Sequence, residues 1–233
     1  MPVLKADLSS KRLRELAEAA TGVFCRRGFE RSQMSDVAKA MGVATGTVYL
    51  YVSGKEALFD LVVRYGSSED HGWLDSLEIP IPPPAPGATM AFLQDVFRRT
   101  EWPLLVAALK TKRATDPAAE LEGVLREQYE LMRRHRRGLL LLMRSALEFP
   151  GLAQVFVHGL RDTLVEHLSK LIRSRIAGGQ YRAVHDIPAT AATMIQTISW
   201  ANLQRPLDPG LAAMDEATVE TSVIDLLVLG ILS

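Results

Sequence analysis

Apolar residues recur at helical intervals along almost the whole chain, and no alternating apolar–polar run is long enough to predict a strand. Leu13, Leu16, Ala20 and Phe24 repeat every three or four residues and predict an amphipathic first helix. Gly28 stops it, and Phe29 is placed to fold back on its last turn. A short second helix is expected to run to about Met41, where Gly42-Val43 repeats the device. A third covers roughly Thr45 to Tyr51. The next is expected to open at Ser53-Gly54-Lys55-Glu56, where Ser53 and Glu56 have the spacing of a capping box, and to continue through Leu58, Leu61 and Val62.

The stretch Ile79-Pro80-Ile81-Pro82-Pro83-Pro84-Ala85-Pro86-Gly87 cannot be helical and reads as a stiff, extended linker. Beyond it the periodicity predicts helices at about 88–113 (broken near Trp102-Pro103), 117–136, 138–148, 150–177, 186–204 and 214–232. Asp116-Pro117 is a strong start signal, a cap followed by proline at the first helical position. The fold class expected is all-α. An N-terminal helix-turn-helix domain at 1–65, with a linking helix to about 76, precedes a larger helical bundle at 77–233.

Composition narrows the function. Apolar residues make up 48% of 233 and the net charge is zero, so a disordered or strongly basic chain is excluded. Residues 1–64 nevertheless hold ten Lys/Arg against seven Asp/Glu, and no acidic residue falls between Val37 and Lys55. That balance is compatible with phosphate contact. The single cysteine, Cys25, can form no disulfide within the chain, and no apolar run approaches the ~18 residues that span a bilayer. The start has no apolar leader. A cytoplasmic protein without a membrane partner is expected. Hydrolase, phosphate-loop and zinc-protease motifs are absent, and the five histidines are scattered, so no enzyme activity, metal or cofactor is expected.

A helix-turn-helix needs a small residue where its helices cross, a residue tolerant of positive φ in the turn, and an apolar anchor on the second helix. Ala38, Gly42 and Val48 supply these at the required spacing. The residues around them are more specific: Phe24-Cys25-Arg26-Arg27-Gly28-Phe29, Met34-Ser35-Asp36-Val37-Ala38, Gly42-Val43-Ala44-Thr45-Gly46-Thr47-Val48-Tyr49-Leu50-Tyr51 and Lys55-Glu56-Ala57-Leu58. Across residues 13–62 the chain resembles the TetR family of transcriptional regulators nearly position by position. Gln33, Ala44 and Val52 depart from the usual residues, and Ala44 gives up a side-chain N-cap worth about 1 kcal/mol.

The resemblance implies that the helix carrying Thr45, Gly46, Thr47, Tyr49 and Tyr51 enters the major groove. Thr47 and Tyr49 would meet phosphate or base edges, Lys55 the backbone, and Gln33 and Ser35 the adjoining DNA. No Arg, Asn or Gln lies on that helix to make bidentate base contacts. It further implies a homodimer through helices at about 186–204 and 214–232, binding a pseudo-palindromic operator on double-stranded DNA. A small-molecule effector would release it, making it a repressor. Candidate pocket residues are Trp102, Tyr129, Met132, Met143, Phe156, Met194 and Trp200, with Phe97 and Phe149 as further large side chains. From the residues alone, a helical ligand carrier or enzyme whose first helices only resemble a reading head remains the alternative. The basic run Arg133-Arg134-His135-Arg136-Arg137 reads as a solvated turn, with phosphate binding as the sharper alternative.

Overall fold

The protein is described here by a computed structural model covering residues 2–146, 148 and 150–232, with side chains for all of these except 2–9, 150, 156 and 157. The helices are α1 (Pro2–Arg27), α2 (Met34–Met41), α3 (Thr45–Tyr49), α4 (Lys55–Gly66), α5 (Ala88–Arg99), α6 (Pro103–Leu109), α7 (Pro117–Arg134), α8 (Arg136–Ala146), α9 (Pro150–Phe156), α10 (Asp162–Ala177), α11 (Ile187–Ser199) and α12 (Glu216–Leu229). Among the described residues there is no strand, only isolated bridges from Val52 to Ile81 and from Tyr181 to Leu232.

These elements form two compact units, Met1–Phe97 with Arg137–Phe156, and Arg98–Arg136 with Val157–Ser233. Residues 77–97 and the α8–α9 segment group with the N-terminal helices.

In the first unit, α1 buries Leu13, Leu16, Ala17, Ala20, Val23 and Phe24. Each fully buried large side chain of this kind stabilises by about 1.5–3 kcal/mol. Gly28 ends α1 with φ 80°, a conformation side chains rarely adopt, and its N–H bonds Phe24 O at 2.8 Å. The chain therefore turns back sharply. Phe29 comes to lie 5.9 Å from Phe24 and 4.9 Å from Phe59, ring to ring.

Two expectations about the next segment are corrected. Ser53 does not cap α4. Gly54 holds the N-cap position in extended conformation, and no side chain caps it. Ser53 is instead drawn out of register by a longer-range pairing. Its N–H bonds Ile81 O at 2.9 Å, and the Ile81 N–H bonds Tyr51 O at 2.8 Å. The same pairing shows that the proline-rich stretch is anchored to the chain that follows α3, and is not a free spacer.

The second unit packs α10 against α11 and α6, and α7 against α6, α11 and α12. Asp116, Asp186 and Asp215 cap α7, α11 and α12, each accepting a backbone N–H from the first turn. The expected helix at 150–177 is interrupted by a π-helical turn at Val157–Arg161, and the one at 186–204 ends in another at Trp200–Gln204. A π-helical turn takes more residues than an α-turn. Helix α12 buries Val223, Ile224, Leu227 and Val228 but leaves Leu226 and Leu229 67% and 73% exposed.

Candidate nucleic-acid interface

Helices α2 and α3 cross at Val37, Ala38 and Val48, all at most 2% exposed. Gly42 makes the turn between them with φ 69°, and the Val43 N–H closes it on Ala38 O at 3.0 Å. The Gln33 N–H donates to the Asp36 carboxylate at 3.0 Å, fixing the start of α2, and Arg27 pairs with the same carboxylate at 2.7 Å. With Val48 locked inward, the helical period turns its neighbours outward. Thr45, Gly46, Tyr49 and Leu50 are exposed, and Thr47 and Tyr51 are half-buried. Ala44 caps α3 with no side-chain bond. Gln33 and Ser35 are exposed at the head of α2, the Ser35 hydroxyl donating to Gln33 Oε1 at 3.3 Å.

Lys55 is placed differently from a free phosphate ligand. Its Nζ donates to Glu30 O at 3.0 Å and lies 4.3 Å above the Phe29 ring. The Glu30 N–H in turn donates to Glu148 at 2.9 Å. One of the three ammonium donors therefore holds the turn after α1. Sequence reasoning did not single out Lys39 and Leu50. Lys39 is exposed one turn after Ser35, on the same face of α2, and an i, i+4 count from Ser35 could have found it. Leu50 is 65% exposed beside Tyr49, and its offset of two residues from buried Val48 was the available signal.

Several other basic side chains are paired. Arg12 pairs with Glu15, and the Lys5 side chain lies outside the described residues. In the 133–137 run, Arg133 and Arg134 share Glu130, and Arg136 bonds Glu216. Burial pushes the Cys25 thiol up to about 11, the opposite of what a reactive thiolate requires.

The pocket candidates do not gather in one place. Trp102, Tyr129 and Met194 are buried in a single core of the second unit, and Met132 packs against it. Trp200 is exposed, at the end of a shallow groove of about 390 Å³ lined by Ala192, Thr193, Gln196 and Thr197. Met143 is half-buried on α8 and belongs to the first unit, as does buried Phe97. Phe149 and the side chain of Phe156 lie outside the described residues. Among the described residues, no group of three or more side chains could hold a metal ion, and no helix is long and apolar enough to cross a membrane.

Known proteins share this arrangement. Residues 16–62 match the family model described as bacterial regulatory proteins, tetR family. An uncharacterized HTH-type transcriptional regulator of Bacillus subtilis, YfiR, is 39% identical over 74 residues, 32% of this chain and 36% of that one. The fatty acid metabolism regulator protein of the same organism is 45% identical over 42 residues, 18% of this chain and 22% of that one. The match thus spans about a third of these relatives' length or less. Two solved structures share the fold over nearly the full chain. The ketosteroid transcriptional regulator KstR2 of Mycobacterium tuberculosis has a TM-score of 0.57 at 16% identity, covering 95% of each chain. AibR, solved with isovaleryl coenzyme A and operator DNA, has a TM-score of 0.54 at 16% identity, covering 93% of this chain and 98% of that one.

Proposed function

With residues 16–62 forming a DNA-reading head of the TetR family, we propose that the chain is a sequence-specific transcriptional regulator, a homodimeric repressor released from its operator by a small molecule. Residues 1–65 read DNA, and residues 77–233 dimerise and bind the effector. The observation that carries this reading is α3: Val48 is wholly buried, while Thr45, Gly46 and Tyr49, with Leu50 at the C-cap, face outward on a five-residue helix small enough to enter the major groove. The contacts are Thr45, Gly46, Thr47 and Tyr49 on α3, Tyr51 just beyond it, Ser35 on α2 with Gln33 at its N-cap, and Lys55. The hydroxyls serve phosphates, and the threonine methyls and Leu50 serve thymine methyls. With no Arg, Asn or Gln on α3, part of the specificity is read as DNA shape. The protein acts in the cytoplasm and is not an enzyme.

Lys55 keeps two donors for a phosphate while the third holds Glu30 O. Lys55→Ala is expected to lower the slope of log affinity against log salt by roughly one unit and to weaken binding to all sequences alike. It also loosens the turn after α1, so the urea midpoint falls slightly. Fluorescence anisotropy over a salt series reads the first effect, and an unchanged slope removes Lys55 from the contacts.

The dimer is supported by the surface of α12 and by the groove on α11. Leu226, Leu229 and Trp200 are exposed large apolar side chains on the last two helices. Two copies related by a two-fold axis would cover them in a four-helix interface. Leu226→Glu with Leu229→Glu is expected to give a folded monomer by sedimentation at micromolar concentration. A double variant that still sediments as a dimer moves the interface elsewhere.

A mixed pool of genomic fragments tests the function as a whole. Retention of particular fragments over competitor DNA at moderate salt is expected, and retention that follows fragment length alone contradicts the proposal.

A further inference from the structure

The second unit buries two arginines, and treats them differently. Arg175 donates to both oxygens of a carboxylate, Glu120, from Nε and Nη2. Arg205 is 3% exposed and meets none. Its Nε donates to Ala201 O at 3.2 Å, and its Nη1 to Leu211 O and Met214 O, each at 3.2 Å. Among the described residues its Nη2 makes no bond and no carboxylate pairs with the guanidinium. A buried charge without a counter-ion is unfavourable unless something else supplies one.

The π-helical turn Trp200–Gln204 that holds Arg205 also holds a second guanidinium. Asn202, wholly buried on that turn, accepts from Arg136 Nη2 at 3.3 Å, and the same Nη2 bonds Glu216. The Nε of Arg136 is buried with no acceptor. On α7, the helix before Arg136, the Tyr129 hydroxyl is wholly buried and likewise has no partner. Burial first, and then the Glu216 carboxylate, raise the Tyr129 phenol, while Arg205 and Arg136 act on it in the opposite sense. Both arginines therefore act on this hydroxyl electrostatically. The other carboxylate on this side, Glu220, is already held by Arg126 at 2.9 Å. One of the two guanidiniums thus has a carboxylate and the other has none, and two buried donors, Arg136 Nε and the Tyr129 hydroxyl, are unspent, near a point where the helix departs from α-geometry. Such turns recur at functional sites.

We propose that this end of the second unit binds an anionic group, the carboxylate or phosphate head of a small organic molecule, through Arg205, Arg136 and Tyr129. This gives the effector of the regulator reading a chemical class, and it rests on that reading for the word effector. If Arg205 only ties down residues 205–214 through its carbonyl bonds, no anion is needed.

The test uses the full chain, with sodium octanoate, inorganic phosphate and 1-octanol as probes at ionic strength held constant with sodium chloride. The expected result is saturable stabilisation against heat by octanoate or phosphate, with little effect of 1-octanol. The two anions distinguish a carboxylate head from a phosphate. Tyr129→Phe removes one hydroxyl and preserves the packing. It is expected to weaken the anion about tenfold, as Arg205→Gln should if it folds, while Arg126→Gln leaves binding unchanged. No saturable response to either anion, equal stabilisation by 1-octanol, or an unchanged response in Tyr129→Phe overturns the proposal. DNA binding of the ligand-free protein is measured in parallel. Its absence alongside intact anion binding would sink the regulator reading and leave the site standing.

Discussion

Gly46→Glu is expected to fold at least as well as the wild type and to lose DNA binding by roughly 100-fold. A side chain built on Gly46 meets nothing within 4 Å. The position lies in the first turn of α3, where an acidic residue complements the helix dipole by about 0.3–1 kcal/mol. Replacing a helical glycine recovers roughly another 0.5–1 kcal/mol. The same carboxylate would point at the phosphates or base edges of a docked groove. Like charges brought together at an interface cost several kcal/mol, and each ~1.4 kcal/mol is a factor of ten. The opposite signs make the variant informative. Circular dichroism melts should show a midpoint equal to or above the wild type, and anisotropy with operator DNA should show the loss. Wild-type affinity in a stable Gly46→Glu protein means that α3 does not face DNA.

Arg175→Met is expected to destabilise the second unit by on the order of 3–5 kcal/mol, because it leaves a carboxylate and backbone carbonyls without their donor. Arg175 is wholly buried. It bonds both Glu120 oxygens at 2.7 Å, Thr111 O and Ala108 O at 2.9 Å, and the Thr111 hydroxyl at 3.1 Å. It therefore joins the end of α6, the loop after it, the first turn of α7 and the last turn of α10 in one knot. A loss of that size is a large part of the roughly 5–15 kcal/mol that holds a domain folded. The double variant Arg175→Met with Glu120→Leu should recover part of it, since no charge is then stranded. Urea unfolding measures both. If the single variant costs under about 1 kcal/mol, the pair is a bystander to the fold.

What could be read in the sequence was mostly what neighbours in sequence decide. Gly28 and Gly42 end helices through bonds four or five residues long, and Asp116-Pro117 starts one within three residues, so their patterns were legible. Ser53-Glu56 had the same kind of local pattern and misled. A partner 28 residues away, Ile81, takes the Ser53 N–H and sets the register instead. Lys55 shows the same limit: no neighbour in sequence tells that Glu30 O, brought near by the fold, takes one of its donors and that its ammonium lies over Phe29. The pocket candidates were chosen for size and softness, which say nothing of which side of a helix faces a core. Three of them share a core, and Trp200 lies outside it, on the surface. Arg175 and Arg205 could not be told apart in sequence at all, because what separates them is whether a carboxylate 55 residues away arrives.

Sequencing the genomic fragments that the purified, ligand-free protein selects tests the central claim most directly. The account predicts an enriched pseudo-palindrome whose half-sites lie about one helical turn of DNA apart, ~34–36 Å, or a near variant of that spacing, with enrichment abolished by Gly46→Glu. Fragments enriched for no common sequence at any salt concentration, or equally by the Gly46→Glu protein, would contradict it.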